Sequence, residues 1–462
     1  MSHGKSASHA IKDPVHGTME FTAPENRWIK PFIDSSTFQR LRHIKQMGLG
    51  DYIFPGGVHT RFSHCIGCSY VASEIAEKTG LTAPERQQVM LACLLHDVGH
   101  GPFSHVFEDL FVGRAIRHEA WTPFFLRDFR TEAFFDYYNR LNPDHPLTAE
   151  KLDQIEDMIM HRSKGNPLLS DIVSSQLDAD RLDYLLRDNH FCGVTYGEFD
   201  LHWMLNTMTP IQTPAGLRLG ITLKGVGVVE QYLMARRLMT KNIYHHRKKL
   251  ALEFYLVELL AALARDLDHV QAFKPVAGTS VGKFLRALNA FNLAATQNPD
   301  DLTRLREAFL QEQHVHYRQM CDDDIFALLR TLSGLSGDHV AIRLAKRILE
   351  RQMPVIVEPE STDTVHIKSL LDDFHAQHAG EIEPFQFALI QSPHHSYLAG
   401  SDPILVEKSP GQVKTLDQMS PLIRALSDYT EKTVFLCVDR DIIGQPALTR
   451  ILQEISPEAV LV

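Results

Sequence analysis

Apolar residues recur at helical spacing over most of the first two thirds of the chain. The stretch "SSTFQRLRHIKQMG" repeats its apolar positions in this way and predicts a helix that ends at Gly48. "RFSHCIGCSYVASEIAEKTG" predicts a second helix that ends at Gly80, and Pro84 opens a third helix through "RQQVMLACLLHD". Glycines and a proline follow at once and end the third helix.

Helical spacing continues beyond this point with one interruption. "LLSDIVSSQLDADRLDYLLRDN" predicts a helix with Ser170 as its N-cap. Residues 213–225, "TPAGLRLGITLKG", predict a hairpin that interrupts the helices. The later segments with helical spacing cover 226–266, 279–292, 302–313, 323–333 and 340–351.

The pattern changes near residue 353. Short apolar runs predict four strands, in "MPVIVEP", "FQFALIQSP", "PILVEK" and "KTVFLCVD", and helices are expected over 365–378 and 420–430. The resulting order, βαββαβ, is typical of a ferredoxin-like lobe. The predicted fold class is therefore mostly α, with a smaller C-terminal α+β lobe.

Composition excludes several classes of protein. The 462 residues carry a formal net charge of −10, which argues against extensive, non-specific binding of nucleic acid. Six scattered cysteines do not form a disulfide framework, and Cys65 and Cys68 lack the second Cys-x-x-Cys pair of a Cys₄ zinc site. "MSHGKSASHA" has no apolar signal core, and no apolar run approaches the ~20 residues of a membrane span. We expect a cytoplasmic protein in a reducing compartment, without a membrane partner.

Four polar residues crowd the stretch "LLHDVGHGPFSH", namely His96, Asp97, His100 and His105. Neighbouring residues of a helix point about 100° apart, so His96 and Asp97 can share one metal ion only if it lies between their directions. His100 follows His96 on the same helix face, where it could orient a ligand or meet a substrate. Any further ligands must come from other segments.

Two other segments supply candidate ligands. His64 lies in "RFSH" on the preceding predicted helix, and Asp180 lies in "LDADRLDYLLRD", where Tyr184 and Asp188 continue one polar stripe. Two imidazoles and two carboxylates suit iron, manganese, zinc, cobalt or nickel better than calcium or copper(I). The plainer interpretation of Asp180 alone is a solvated acidic helix face. Together the segments predict a transition-metal site.

Seven motifs carry a family resemblance, in the order "DPVHG", "FQRLRHIKQMG", "FPGGVHTRFSH", "LLHDVGHGPFSH", "RHEA", "LDADRLDYLLRD" and "YHHRK". They resemble the HD superfamily of metal-dependent phosphohydrolases, and within it the deoxynucleoside triphosphate triphosphohydrolases, including the animal enzyme that carries a SAM domain. The resemblance is close over roughly residues 10–250 and looser beyond. We expect an HD-domain helical core over 1–250, a helical extension over 251–352 and the α+β lobe over 353–462, without a SAM domain.

The resemblance implies a role for each candidate residue. The implied metal ligands are His64, His96, Asp97 and Asp180. The residues implied around the scissile phosphate are His100, His105 and the catalytic His118, which has Glu119 beside it. The implied triphosphate ligands are Arg61, Arg181 and Arg236, and the residues implied near the sugar or nucleoside are Gln46, Met47, Tyr184, Asp188 and Tyr244.

The implied reaction converts deoxynucleoside triphosphates to deoxynucleoside and inorganic triphosphate, with Mg²⁺ accompanying the nucleotide. A homo-oligomer with a nucleotide effector is also implied. Asp34, Gln39 and Arg42 match effector-contacting positions of the animal enzyme, whereas the segment before "DPVHG" departs from it. These three residues are the candidate allosteric set.

Other interpretations remain open. The chain could be an HD phosphohydrolase that acts on another nucleotide or phosphate ester. It could also be a regulatory protein that binds nucleotides or single-stranded nucleic acid, for which "YHHRKK" offers a basic patch. Several single residues also have plain explanations, since His105 could cap a helix, Arg236 could lie on a solvated helix face and Met47 could serve packing.

Overall fold

A computed structural model describes residues 9–360, 363–395, 397, 400, 402–427 and 430–456. Within these residues the chain forms two compact units. The first unit draws on Met1–Met239, Phe291–Asp323 and Ser396–Tyr429. The second unit draws on Thr240–Ala290, Asp324–His395 and Thr430–Val462. The three-part division predicted from the sequence, with boundaries at 250 and 352, stays a prediction.

Helices dominate the described residues. Those up to Met239 are α1 (Ala23–Ile33), α2 (Ser36–Gln39), α3 (Arg61–Lys78), α4 (Ala83–Leu95), α5 (Val106–Asp109), α6 (Thr122–Leu126), α7 (Glu132–Leu141), α8 (Ala149–Ile159), α9 (Pro167–Val173), α10 (Ala179–Cys192), α11 (Leu201–Thr207) and α12 (Val226–Met239). The later ones are α13 (Arg247–Asp266), α14 (Lys274–Ala277), α15 (Ser280–Gln297), α16 (Leu302–Tyr317), α17 (Asp322–Ser333), α18 (Val340–Leu349), α19 (Thr364–Gln377), α20 (Leu416–Met419), α21 (Pro421–Ser427) and α22 (Pro446–Ile455). None of the helices described here has the length and apolarity that crossing a bilayer demands.

The strands form three small sheets. They are β1 (His9–Asp13), β2 (Gly17–Phe21), β3 (Met208–Thr213), β4 (Gly216–Thr222), β5 (Val355–Val357), β6 (Phe387–His395), β7 (Leu405–Ser409), β8 (Gln412–Thr415) and β9 (Thr430–Val438). β1 and β2 pair as a hairpin, the second sheet has the order β3-β4-β7-β8, and the third has the order β5-β9-β6. A mostly α fold with a smaller α+β region is therefore confirmed. A hairpin does interrupt the helices, but it spans 208–222, so the predicted range 213–225 missed most of its first strand.

The predicted strands and helices occur in the expected order along the chain, but the ferredoxin-like lobe that this order suggested is wrong. The predicted strands divide between two sheets, because β7 pairs in parallel with β4 and belongs to the first unit. Of the four predicted strands, the other three, β5, β6 and β9, share one sheet, in which β9 pairs antiparallel with both neighbours. A short apolar run predicts that a segment is a strand. It does not predict which other strand that segment pairs with, because pairing depends on side-chain packing with residues distant in sequence.

The first predicted helix is also much shorter than expected. Four residues form α2, and a single 3₁₀ turn follows over Arg40–His43. The backbone then becomes extended, and residues 44–46 bond to the segment before α3, with Arg61 N donating to Ile44 O over 3.0 Å. These tertiary hydrogen bonds outweigh the helical pattern of "RLRHIKQMG".

The helix predicted with Ser170 as its N-cap is two helices. Ser170 lies inside α9, which begins after Asn166, whose side chain accepts a hydrogen bond from Leu168 N. The chain is extended at Ser174, and Asp178 then caps α10 by accepting from Arg181 N over 2.8 Å. The second cap places Asp180 in the first turn of a new helix. α10 and α4 both pack against α3, and these three helices surround the candidate site.

Candidate metal centre and its surroundings

Four side chains converge on one point, one from α3, two from the residues directly after α4 and one from α10. His64 Nε2 lies 3.0 Å from Asp180 Oδ1, 3.3 Å from His96 Nε2 and 3.7 Å from an oxygen of Asp97. His96 Nε2 lies 3.3 Å from the other oxygen of Asp97 and 3.5 Å from Asp180 Oδ1. The two histidines and two aspartates predicted from the sequence therefore lie together in space.

These distances fit a shared metal ion. Ligand atoms about 2.0–2.2 Å from a transition metal lie roughly 3.0–3.5 Å from one another at octahedral or tetrahedral angles. The Nδ1–H of His64 donates to Asp183 Oδ2 over 2.7 Å, and the Nδ1–H of His96 donates to Cys93 O over 2.7 Å. With Nδ1 protonated in both rings, each Nε2 presents a lone pair to the cluster. The residues present could hold a divalent ion.

Negative charge dominates the cluster. Burial lowers the pKa of His64, but hydrogen bonds to Asp180 and Asp183 raise it, to about 9. Burial likewise lowers the pKa of His96, but Asp97 and Asp180 raise it, to about 10. The carboxylates therefore favour a cation at this point.

A buried ion-pair network contacts His64 Nδ1, on the side of the ring away from the candidate metal centre. Asp183 accepts hydrogen bonds from His64, from His16 Nε2 over 2.7 Å, and from Arg187 Nε and Nη2 over 2.9 Å each. Arg187 also donates to Asp13 Oδ2 over 2.8 Å, and both Asp183 and Arg187 have no exposed surface. Burial raises the pKa of the Asp183 carboxyl, but Arg187 outweighs burial and holds that pKa well below its usual range. The β1–β2 hairpin thus supplies two residues that stabilise a metal-ligand candidate.

Gly67 makes room for this network on α3. A Cβ atom at this position would lie 2.0 Å from Asp183 Oδ1 and 2.4 Å from Arg187 Nη2. Any side chain there would force the ion pair away from α3. The sequence analysis did not single out Gly67, Asp183, Arg187 or Asp13. A glycine in the middle of a helix, and an Asp-Arg pair at i, i+4, were the available signals.

Arg61 joins the metal centre to the loop after α4. Its side chain is 4% exposed, its Nη1 donates to Asp97, and its Nε donates to Ser104 Oγ over 3.1 Å. His100 Nε2 donates to Asp97 Oδ1 over 3.2 Å. Burial lowers the pKa of His100, and the positive charge of Arg61 lowers it further. His100 is therefore a neutral ring beside a fixed guanidinium.

The remaining two candidate histidines share one carboxylate. His118 stacks on His100 with ring centroids 3.6 Å apart, and its Nδ1–H donates to Glu108 Oε1 over 2.6 Å. His105, which is mostly exposed, donates to the same oxygen over 3.2 Å. Glu108 was not among the residues predicted from the sequence, because it lies three positions beyond the histidine motif with nothing to link it to His118. The structure brings together all three predicted histidines.

Three of the predicted substrate residues lie near one another on α10 and α12. The Tyr184 and His64 ring centroids are 6.4 Å apart. Burial raises the pKa of Tyr184 to about 12, although the positive charges of Arg236 and Arg181 oppose this rise. Arg181 itself donates to Asp178 and to the Ser175 carbonyl. Its guanidinium is thus held at the start of α10.

Of the other predicted substrate residues, Asp188 and Met47 are buried, whereas Gln46 and Tyr244 are half-buried. Asp188 is 2% exposed and accepts a hydrogen bond from His59 Nε2 over 2.6 Å. Gln46 N donates to His59 O over 3.0 Å, and its buried Oε1 has no hydrogen-bond partner among the described residues. Met47 is 4% exposed and packs in the core. Tyr244 belongs to the second unit, in the π-helical turn Thr240–Tyr244.

The candidate allosteric residues form a local chain of contacts. Lys30 Nζ donates to Asp34 over 2.7 Å at the end of α1, and Gln39 Nε2 donates to Ile33 O over 2.8 Å. Arg42 Nε donates to Gln39 Oε1 over 2.7 Å and its guanidinium lies 3.6 Å from the Phe62 ring centroid. Their predicted role in binding an effector stays a prediction.

Comparisons with known proteins identify the helical core. Residues 61–187 match the family model described as the HD domain. The chain is 28% identical over 454 residues to the uncharacterized protein YwfO of Bacillus subtilis, with 95% of this chain and 94% of that protein covered. It is 30% identical over 269 residues to deoxynucleoside triphosphate triphosphohydrolase SAMHD1 of Homo sapiens, with 51% of this chain but only 42% of that protein covered.

Solved structures agree with the sequence comparisons. A phosphohydrolase from Bacteroides thetaiotaomicron superposes with a TM-score of 0.68 at 26% identity, covering 94% of this chain and 100% of that chain. The resemblance predicted from the seven motifs is confirmed. Residues 61–187 are thus similar to the HD domain, and the chain resembles proteins described as phosphohydrolases and as deoxynucleoside triphosphate triphosphohydrolases.

Proposed function

We propose that this protein hydrolyses deoxynucleoside triphosphates to deoxynucleoside and inorganic triphosphate at a metal centre held by His64, His96, Asp97 and Asp180. The main observation in support is the convergence of these four side chains. Their ligand atoms lie 3.0–3.7 Å from His64 Nε2 and 3.3–3.5 Å from His96 Nε2. Beside the metal centre, Arg61 adds a positive charge, and the stacked pair His100 and His118 adds an imidazole that can transfer a proton.

Electrostatics is the first requirement of this reaction. A divalent ion bound at the four ligands would offset charge on the phosphate oxygens and make hydroxide available near neutral pH. Arg61 adds a guanidinium that Asp97 and Ser104 already hold in place, so little reorganisation is needed as negative charge develops. Arg181 and Arg236 extend the positive charge toward Tyr184, where the triphosphate and sugar would lie.

Proton transfer is the second requirement. In the proposed reaction His118 donates a proton from Nε2 to the departing 5′ oxygen of the nucleoside. Glu108 accepts the Nδ1–H of His118, which orients the ring. Stacking on His100 fixes the plane of the ring. Tyr184 would then discriminate deoxyribose from ribose by crowding the 2′ position.

The test is a panel of deoxynucleoside triphosphates, offered singly and in mixtures, with products resolved and bound metal measured. Release of inorganic triphosphate by the parent, and its loss in Asp180→Asn, would support the proposal. Asp157→Asn changes a half-buried carboxylate on α8 that pairs with Arg162, away from the four candidate ligands, and is the matched control. Release of orthophosphate or pyrophosphate would instead favour another phosphate ester as substrate. A salt-dependent gel shift without hydrolysis would favour a nucleic-acid-binding protein.

The same panel of nucleotides also tests whether the protein has a nucleotide effector. We propose that the protein acts as a homo-oligomer and that a nucleotide effector binds near Asp34, Gln39 and Arg42. Activation that appears only in mixtures would support an effector. A single-subunit mass in sedimentation, with full activity on each nucleotide alone, would contradict both proposals.

A further inference from the structure

The loop after α4 has an uncommon backbone conformation. Phe103 and Ser104 have φ angles of 52° and 57°, in the left-handed region that residues with a Cβ rarely adopt. Such residues persist only where surrounding contacts hold them. We call residues 99–104 the histidine loop, because it carries His100.

Three backbone groups of the histidine loop bond to side chains outside the HD-matched segment. Tyr317 Oη donates to Gly99 O over 3.0 Å. Arg40 Nη1 donates to His100 O over 2.9 Å. Asp322 Oδ1 accepts from the backbone N of Phe103, one of the two strained residues, over 2.7 Å.

Arg40 connects the loop to the end of α16. Its Nε and Nη2 donate to Met320 O over 3.0 and 2.7 Å, while Nη1 reaches His100 O. The planar fork of a guanidinium can make these bonds at once, whereas a lysine cannot. Asp322 makes a second connection, since its Oδ2 accepts from Lys45 N over 2.9 Å.

Packing leaves the loop little room to move. Tyr317 is 2% exposed and stacks on Trp121 with ring centroids 4.0 Å apart. A Cβ atom at Gly101 would lie 2.6 Å from Tyr317 Oη, so the loop approaches the ring this closely only with glycine there. A Cβ atom at Gly99 would lie 2.4 Å from His118 O on the other side.

We propose that Arg40, Tyr317 and Asp322 form a positioning clamp that holds the histidine loop, and with it His100, in the geometry needed for phosphate hydrolysis. The clamp acts through the backbone and touches neither substrate nor metal. Its effect on hydrolysis rests on the proposed function, whereas its effect on the loop does not.

A cavity beside Arg40 makes this proposal testable by chemical rescue. The cavity has a volume of about 460 Å³, and its lining includes Arg40, Arg318 and Phe125. Both guanidinium groups lie over the Phe125 ring, at 5.0 and 5.4 Å from its centroid. Arg318 donates to Asp128 and not to the loop. Arg40→Ala would extend the cavity to His100 O, where a free guanidinium ion fits the vacated position.

The experiment compares Arg40→Ala with Arg318→Ala, the matched control from the same cavity. We expect Arg40→Ala to lose about 10- to 100-fold in kcat with little change in KM and unchanged bound metal. Amide hydrogen exchange of residues 99–104 should become faster. Guanidinium chloride below denaturing concentration should restore part of kcat and slow this exchange, and Arg318→Ala should show neither change.

Two results would overturn the clamp. One is parent-like exchange of residues 99–104 in Arg40→Ala, and the other is an equal increase in Arg318→Ala. If Arg40→Ala does not fold, Tyr317→Phe removes only the hydroxyl that bonds Gly99 O and should raise exchange at the start of the loop. If the parent hydrolyses no nucleotide, the proposed function fails while the exchange measurements still decide the clamp.

Discussion

His64 and Asp183 form a 2.7 Å hydrogen bond that sets which ring nitrogen of His64 faces the metal centre. Asp183 accepts the Nδ1 proton, so Nε2 is left to ligate. The carboxylate is itself held by Arg187, through two bonds of 2.9 Å. We therefore expect the affinity of this candidate centre for a metal ion to depend also on residues that would not touch the ion.

Asp183→Asn is expected to weaken metal binding by about 10- to 100-fold, because the amide no longer fixes the His64 proton and leaves Arg187 with the Asp13 carboxylate alone. Titration with Co²⁺, followed by its visible absorption, measures this directly. Asp171→Asn is the control, since Asp171 is also a buried carboxylate paired with an arginine, Arg218, away from the centre. An equal loss of Co²⁺ affinity in both variants would show that the effect is only general destabilisation.

Gly67→Ala is expected to lower the free energy of unfolding by about 1–3 kcal/mol, because the new methyl group overlaps the Asp183–Arg187 pair. Denaturant unfolding of the metal-free protein measures the change. Gly227 lies on α12, where an added Cβ meets nothing within 4 Å. Gly227→Ala should therefore be neutral or stabilising, by up to about 1 kcal/mol. A Gly67→Ala protein as stable as its parent would contradict the close packing described for α3.

Tyr184→Ala is expected to raise hydrolysis of ribonucleoside triphosphates relative to deoxynucleotides, because a steric wall at the 2′ position is removed. The ratio of kcat/KM for the two sugars measures the effect. Tyr184→Phe keeps the ring and should keep the discrimination. If Tyr184→Ala treats ribonucleotides as the parent does, the discrimination lies in another residue.

Glu108→Gln should change how stability depends on pH. Burial raises the pKa of Glu108, but hydrogen bonds from His105 and His118 outweigh burial and hold that pKa well below its ordinary value. A depressed pKa in the folded state means that the ionised carboxylate stabilises the protein above the unfolded-state pKa of about 4.3, and that this stabilisation is lost as the pH falls toward the folded-state value.

The stability difference between parent and Glu108→Gln should therefore be largest above about pH 4.5 and should shrink as the pH is lowered. Denaturant unfolding at a series of pH values measures it. Glu119→Gln is the control, since Glu119 Oε2 lies 3.6 Å from His118 Nδ1, beyond a normal hydrogen bond. A difference that stays constant with pH, or the same trend in Glu119→Gln, would contradict the assignment of this shift to Glu108.

Motif residues were the most predictable part of the site. His64, His96, Asp97 and Asp180 were identified as a set from residue type and helical position. The structure groups His64, His96 and Asp180, and Asp97 lies 3.3 Å from His96 Nε2 and 3.7 Å from His64 Nε2. Asp183, Arg187 and Glu108 could not be identified with the same certainty, because a buried ion pair and a surface salt bridge look alike in a sequence. The clamp residues Tyr317 and Asp322 lie more than two hundred positions from the loop they hold, and no local pattern links them.

The sequence by itself determined the helical character of most of the chain, the presence of a hairpin near residue 213, and which imidazoles and carboxylates were candidates for a metal site, because periodicity and residue type are local properties. Tertiary structure decided where "RLRHIKQMG" leaves the helix, since hydrogen bonds to residues 59–61 compete with the helical ones. It also decided that β7 pairs with β4, and that the Nδ1 proton of His64 is bound by Asp183. These outcomes depend on groups distant in sequence, whose hydrogen bonds and burial exist only once the chain has folded.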